Sequence, residues 1–231
     1  MSLPVVLLPG TLCDEQVWHK VVAELGPDQE VISKPLGAYR DWKNELAHLV
    51  KDLPERFVLV GFSLGGIAAL AMLHQYPERV KKLVLVASTA LADPPDSQAR
   101  RRELLNLAEK NSDFKPLALM QLSPCDRQNM GDDGVMFVVQ MAERFSVEQY
   151  ACQTELACSR QDTRQCLAES QLPVHLIYGS EDTACGEDRQ LLIRQACQQA
   201  VLYPVAGGGH WLPLSHSNVV AKVVLDALDS S

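Results

Sequence analysis

No stretch of the 231 residues approaches the roughly 18 consecutive apolar positions that a membrane-spanning helix needs. The first ten, MSLPVVLLPG, carry no basic region and their apolar run is broken by Pro4 and Pro9, so no secretory signal peptide is expected. Basic residues are in short supply. Twenty-one Lys+Arg against 29 Asp+Glu leave a net charge of −8, and no stretch concentrates the basic residues beyond Arg100, Arg101 and Arg102. That mean field repels polyanions, so neither nucleic acid nor a membrane is expected as a partner. The seven cysteines, at 13, 125, 152, 158, 166, 185 and 197, are odd in number and lack C-x-x-C spacing, which argues against a disulfide framework or a zinc or redox motif. They are expected as reduced, packed thiols in a cytoplasmic protein. Internal repeats and low-complexity linkers are also missing. Hydrophobic residues at 47% and charged residues at 22% sit near the globular average, which excludes a disordered, collagenous or coiled-coil chain and suits a single domain.

What the chain does have is a recurrence of short apolar runs rich in Val and Leu. Val5-Val6-Leu7-Leu8, Phe57-Val58-Leu59-Val60, Leu83-Val84-Leu85-Val86 and Val174-His175-Leu176-Ile177-Tyr178 look like strands buried on both faces. Weaker candidates lie at 30–33 and 200–203. Amphipathic stretches fall between them, near 15–25, 41–52, 64–75, 186–198 and 217–228. This alternation predicts an α/β fold: an open, mostly parallel sheet of about six strands with helices on both faces. Residues 89–170 break the rhythm, offering helical patterns near 97–110, 114–121, 133–145 and 147–158 but no strand. They are expected to form a helical lid inserted into a core made of 1–88 and 171–231. Met120, Met130, Met136 and Met141 fall in this insertion, either as core filler or as the lining of an apolar pocket.

The strongest local signal is Gly61-Phe62-Ser63-Leu64-Gly65-Gly66, directly after one expected strand and directly before an expected helix. That context is what a G-x-S-x-G nucleophile elbow requires. Glycines two residues either side leave room for a sharp turn, and the following helix aims its N-terminal amides at the serine. A serine hydroxyl needs a base, and the base needs an orienting group. His210, in the glycine-rich loop Ala206-Gly207-Gly208-Gly209-His210-Trp211, is the best base, with His216 as its rival; His48, His74 and His175 fall within helices or a strand. Asp182 follows the strand ending at Tyr178 and so emerges at a carboxyl end of the sheet. Glu181 is its neighbour and rival. The resulting order is Ser63, Asp182, His210.

An oxyanion formed at the substrate carbonyl needs two preorganised amides, each worth about 3 kcal/mol when removed elsewhere. Leu64 N–H follows the nucleophile, and Thr11 N–H, in the Pro9-Gly10-Thr11-Leu12 loop, is the expected second donor. Phe62, Leu12, Trp211 and Met136 are expected to line an apolar substrate pocket.

Taken together, VVLLPGTLCDEQVW, LVGFSLGGIAAL with YPERVKKLVLVAS, LPVHLIYGSED and GGGHWLPL resemble the α/β-hydrolase superfamily, in particular small carboxylesterase-like members with a helical lid. The resemblance spans essentially the whole chain. It departs in Pro9-Gly10, where many relatives carry His-Gly, and in the lack of an antiparallel hairpin ahead of the strand at Val5. Relatives that carry out an elimination in menaquinone synthesis follow the GxSLGG motif with arginine, where this chain has Ile67. The resemblance implies a serine hydrolase acting on small to medium carboxylic esters through a Ser-His-Asp triad and an acyl-enzyme, with no metal or organic cofactor. The net charge favours neutral esters. The same triad would also serve a carbon–carbon bond or enol-lactone hydrolase, and the fold could persist in a non-catalytic ligand-binding protein. The expected partner is a small-molecule ester, and the expected assembly a monomer or homodimer.

Overall fold

A computed structural model of the chain describes residues 3–111 and 113–229. Six strands lie within them: β1 (Val5–Leu8), β2 (Val31–Ser33), β3 (Phe57–Phe62), β4 (Val80–Val86), β5 (Val174–Gly179) and β6 (Val201–Val205). They form one sheet in the order β2-β1-β3-β4-β5-β6, and every neighbouring pair is parallel. The consecutive apolar residues of the central strands divide between two cores, because successive side chains point to opposite faces. Val5 and Leu7 of β1 join Val58, Val60 and Phe62 of β3 on one face, while Val6 and Leu8 join Phe57 and Leu59 on the other. The weak strand patterns at 30–33 and 200–203 belong to the two edge strands β2 and β6, whose residues are largely half-exposed or exposed. Only a strand covered on both faces needs a continuous apolar run.

Helices α1 (His19–Leu25), preceded by a 3-10 turn at Glu15–Trp18, and α11 (Ser217–Asp229) pack together over the first core. The second is covered by α2 (Trp42–Val50), α3 (Leu64–Gln75) and α9 (Glu187–Ala196). Between β4 and β5 the chain forms α4 (Pro95–Asn111), α5 (Lys115–Met120), α6 (Pro124–Ala142), α7 (Val147–Ser159) and α8 (Arg164–Glu169). The insertion is therefore helical, as its pattern predicts. Helix α6 begins well before the pattern expected at 133, because a kink interrupts its periodicity: Gly131 sits at φ +65°, a conformation glycine adopts without a Cβ clash. Helices α8 and α10 (Leu212–Ser215) escaped the sequence pattern, being too short to show a period. Among the described residues no helix is long and apolar enough to cross a membrane.

The strand order positions the site. From β1 the chain runs outward to β2, then returns to lay β3 on the other side of β1. The loops leaving β1 and β3 therefore part from each other, opening a crevice at their carboxyl ends. Thr11 follows β1 and Ser63 follows β3.

Candidate active site

Ser63 is the single residue between β3 and α3, held at φ +52° and ψ −115°. A non-glycine residue there carries about 1–3 kcal/mol of backbone strain, which the surroundings must impose. They do so closely. A Cβ on Gly61 would run into the Gly65 carbonyl, and one on Gly65 into the Leu8 carbonyl of β1. Ser63 N–H donates to the Val86 carbonyl at 3.0 Å, and Ser88 Oγ donates to the Ser63 carbonyl at 2.8 Å. Backbone strain of this kind is what raises a side chain out of the strand-to-helix turn.

The loop after β6 brings His210 Nε2 to 3.0 Å from Ser63 Oγ and His210 Nδ1 to 2.8 Å from Asp182 Oδ2. Asp182 Oδ1 accepts from the amides of Ala184 at 2.8 Å and Cys185 at 3.0 Å. An ionised carboxylate can only accept, so Nδ1 carries the proton and Nε2 presents its lone pair to the serine hydroxyl. Burial pushes the Asp182 carboxyl up, but the hydrogen bond and charge of His210 and the two amides outweigh it and hold the group below its ordinary value. For His210 burial works to lower the pKa, and the hydrogen bond and charge of Asp182 with the charge of Asp126 reverse that, leaving it above 6.5. Glu181 stays exposed, 3.4 Å from the Ser180 hydroxyl, and His216 turns to Ser215 Oγ at 2.9 Å. Neither rival reaches the Ser63–His210 pair.

A family model described as alpha/beta hydrolase matches residues 5–223. The chain belongs to the alpha/beta hydrolase family. One curated relative, the pimeloyl-[acyl-carrier protein] methyl ester esterase of Legionella pneumophila, is 30% identical over 93 residues, 38% of this chain and 39% of that protein. The matched part thus spans about two fifths of the length of such relatives. Among solved structures, a thermophilic esterase from Thermogutta terrifontis with malate bound superposes at a TM-score of 0.86 with 20% identity, over 98% of this chain and 89% of that one. The enol-lactonase of Burkholderia xenovorans superposes at 0.83 with 18% identity, over 100% and 93%. At such identities the likeness speaks for the fold.

In this α/β-hydrolase the amides of Thr11 and Leu64 have no hydrogen-bond partner among the described residues, whereas Leu12 N–H donates to Gln153 Oε1 at 2.9 Å. Thr11, Ser63, Asp182 and His210 border one cleft of about 590 Å³. The expected pocket residues do not border it, and this corrects the apolar picture. Phe62, Leu12 and Trp211 are buried in the first core, where the Phe62 ring meets Trp18 and Trp211 edge-on. Neighbours of a site residue along a strand or tight turn point away from it. Met136 is exposed elsewhere, and of the insertion's methionines only Met120 reaches the cleft rim. The wall instead holds Arg100, Arg101, Arg160 and Arg189, so the expectation of neutral esters drawn from net charge is not carried forward.

Two residues from the insertion support the site and went unnoticed in the sequence. Asp126 is buried, accepts from Trp211 N–H at 3.0 Å through Oδ1, and closes a capping box with Ser123 through Oδ2. Ser123-Pro124-Cys125-Asp126 does signal a helix start. Nothing in it signals the grip on the histidine loop. Gln153 of α7 spans from Leu12 N–H to the Leu36 carbonyl, which its Nε2 meets at 2.9 Å, and so fixes the loop that carries Thr11.

Proposed function

We propose that this protein is a serine hydrolase of small to medium carboxylic esters, working through Ser63, His210 and Asp182. The observation that carries the reading is the continuous chain from Ser63 Oγ through His210 to Asp182, with the serine at a strained turn on a helix N-terminus. Ser63 Oγ attacks the ester carbonyl carbon while His210 Nε2 takes its proton. The oxygen that becomes negative is held by the N–H groups of Thr11 and Leu64. When the C–O bond breaks, His210 returns the proton to the departing alcohol, leaving an acyl-serine. Water then attacks the acyl carbon, giving its proton to His210, and the acid leaves as Ser63 is reprotonated. Asp182 orients the imidazole and offsets its transient positive charge. Hydroxyl, imidazole, carboxylate and amides supply every proton and charge in this scheme, so it calls for no metal or organic cofactor. A relative named as a methyl ester esterase and a cleft of about 590 Å³, a size that suits a small-molecule ester, support the substrate class.

The test is hydrolysis of p-nitrophenyl esters of graded acyl length, with fluorophosphonate labelling. Wild type should turn over the short esters and be labelled on Ser63; Ser63→Ala should lose both. Turnover persisting in Ser63→Ala would remove the serine from the mechanism. Asp182→Asn should cost about four orders of magnitude in kcat, and Glu181→Gln far less. A larger loss in the second would mean that the other carboxylate holds the histidine.

A further inference from the structure

The triad leaves one feature of the cleft without a use. Arg100 and Arg101 of α4, Arg160 at the end of α7 and Arg189 of α9 all border the same cleft as Ser63. Ser97, Arg100, Arg101 and Leu104 repeat at the spacing of one helix face, so α4 turns this face to the cleft while Arg102 points elsewhere, 3.9 Å from Glu155. The cations outnumber their partners. Asp93, wholly buried, lies 2.6 Å from Arg160 Nη2 and 3.1 Å from Arg101 Nε, one carboxylate against two guanidinium groups. Arg189 has only the exposed Asp188 at 3.8 Å, a pair that water screens, and Arg100 has no ion pair among the described residues. Arg160 is held below its usual pKa by burial and by the nearby charges of Arg101 and Arg189, which Asp93 only partly offsets, so the groups lie within reach of one another. The other acids of the cleft are engaged or peripheral: Asp182 with His210, Asp126 with Trp211 and Ser123, and Glu181 exposed at the rim. In a chain of net charge −8, four arginines gathered on one wall are a local exception to the field.

We propose that this wall, led by Arg100 and Arg189 with Arg101 and Arg160 behind them, is a subsite for an anionic group, a carboxylate or phosphate, carried by the ester at a distance from its scissile bond. The proposal rests on the ester-hydrolase reading above and specifies its substrate class. A guanidinium fork meets such oxyanions with two parallel hydrogen bonds. The buried Asp93 pre-sets Arg101 and Arg160, so little side-chain entropy is lost on binding.

The experiment compares kcat/KM for monomethyl and dimethyl esters of straight-chain dicarboxylic acids, matched in length, with short acyl esters of glycerol phosphate as the phosphate arm. Wild type should favour the anionic half-ester over the neutral diester by about tenfold, the effect of one charge-assisted hydrogen bond, and the gap should narrow as salt is added. The half-ester to diester ratio should collapse in Arg100→Gln/Arg189→Gln and return only in part in Arg100→Lys/Arg189→Lys, which keeps the charge but not the fork. The half-ester and phosphate arms identify which anion is preferred. Equal or inverted preference in wild type, or an unchanged ratio in the double glutamine variant, would overturn the subsite. If no ester is turned over, the hydrolase reading fails by itself. The subsite is then decided by calorimetric titration of Ser63→Ala with free dicarboxylates: binding lost in the arginine double variant upholds it, and no binding overturns it.

Discussion

His210 carries the pH dependence of the proposed reaction. It acts as a base only when Nε2 is unprotonated, and its pKa is held above 6.5 because Asp182 and Asp126 together outweigh the effect of burial. A group shifted upward keeps its proton to higher pH, so kcat/KM on a p-nitrophenyl ester should rise with pH through one ionisation centred above 6.5. Asp126→Asn removes one of the two charges and should move that midpoint down. A midpoint unmoved or moved up would contradict the role given to the buried Asp126 charge. The Asp182 carboxyl, held below its ordinary value, stays ionised throughout this range and should add no second limb near neutrality. The residue scale also explains why the expected apolar pocket was misplaced. Phe62 and Trp211 flank Ser63 and His210 in sequence, but a side chain next to a site residue on a strand end or tight turn faces the core.

At the scale of elements, the helical insertion is joined to the sheet's loops by a few buried polar bonds. Gln153 of α7 takes up the Leu12 amide on one side of the site, and Asp126 of α6 takes up the Trp211 amide on the other. Both amides belong to loops next to reacting groups. Gln153→Leu keeps the side chain's volume but leaves the Leu12 N–H buried without a partner, a cost of about 1–3 kcal/mol. We expect a lowered unfolding midpoint together with a fall in kcat that exceeds any rise in KM, since the loop that carries Thr11 is loosened. Wild-type kcat in that variant would show that Gln153 serves stability alone. The α6 capping box at Ser123 and Asp126 closes within four residues of chain, whereas the second task of Asp126 has no local signature, because the amide it meets lies far away in the chain.

For the whole molecule the distribution of charge matters more than its sum. The Asp93–Arg160 pair is almost wholly buried, and breaking such a pair strands the surviving charge at a cost of about 3–5 kcal/mol. Asp93→Asn should therefore lower the denaturant midpoint at unchanged m-value, and the loss should exceed that of removing the exposed Arg40–Glu148 pair by Glu148→Gln. Comparable losses in the two variants would deny the buried pair its structural weight. The sequence by itself determined the six strands, the parallel sheet and the helical insertion, because buried strands need unbroken apolar runs, and it singled out Ser63, Asp182 and His210, which the fold brings within hydrogen-bonding distance of one another. Edge strands gave weaker signals, since half-exposed backbone tolerates polar residues. Only the tertiary structure decided what fills the cleft. Arg100 and Arg101 lie on α4, Arg160 just past the end of α7 and Arg189 on α9, and packing alone brings their charges to the cleft that Ser63 borders.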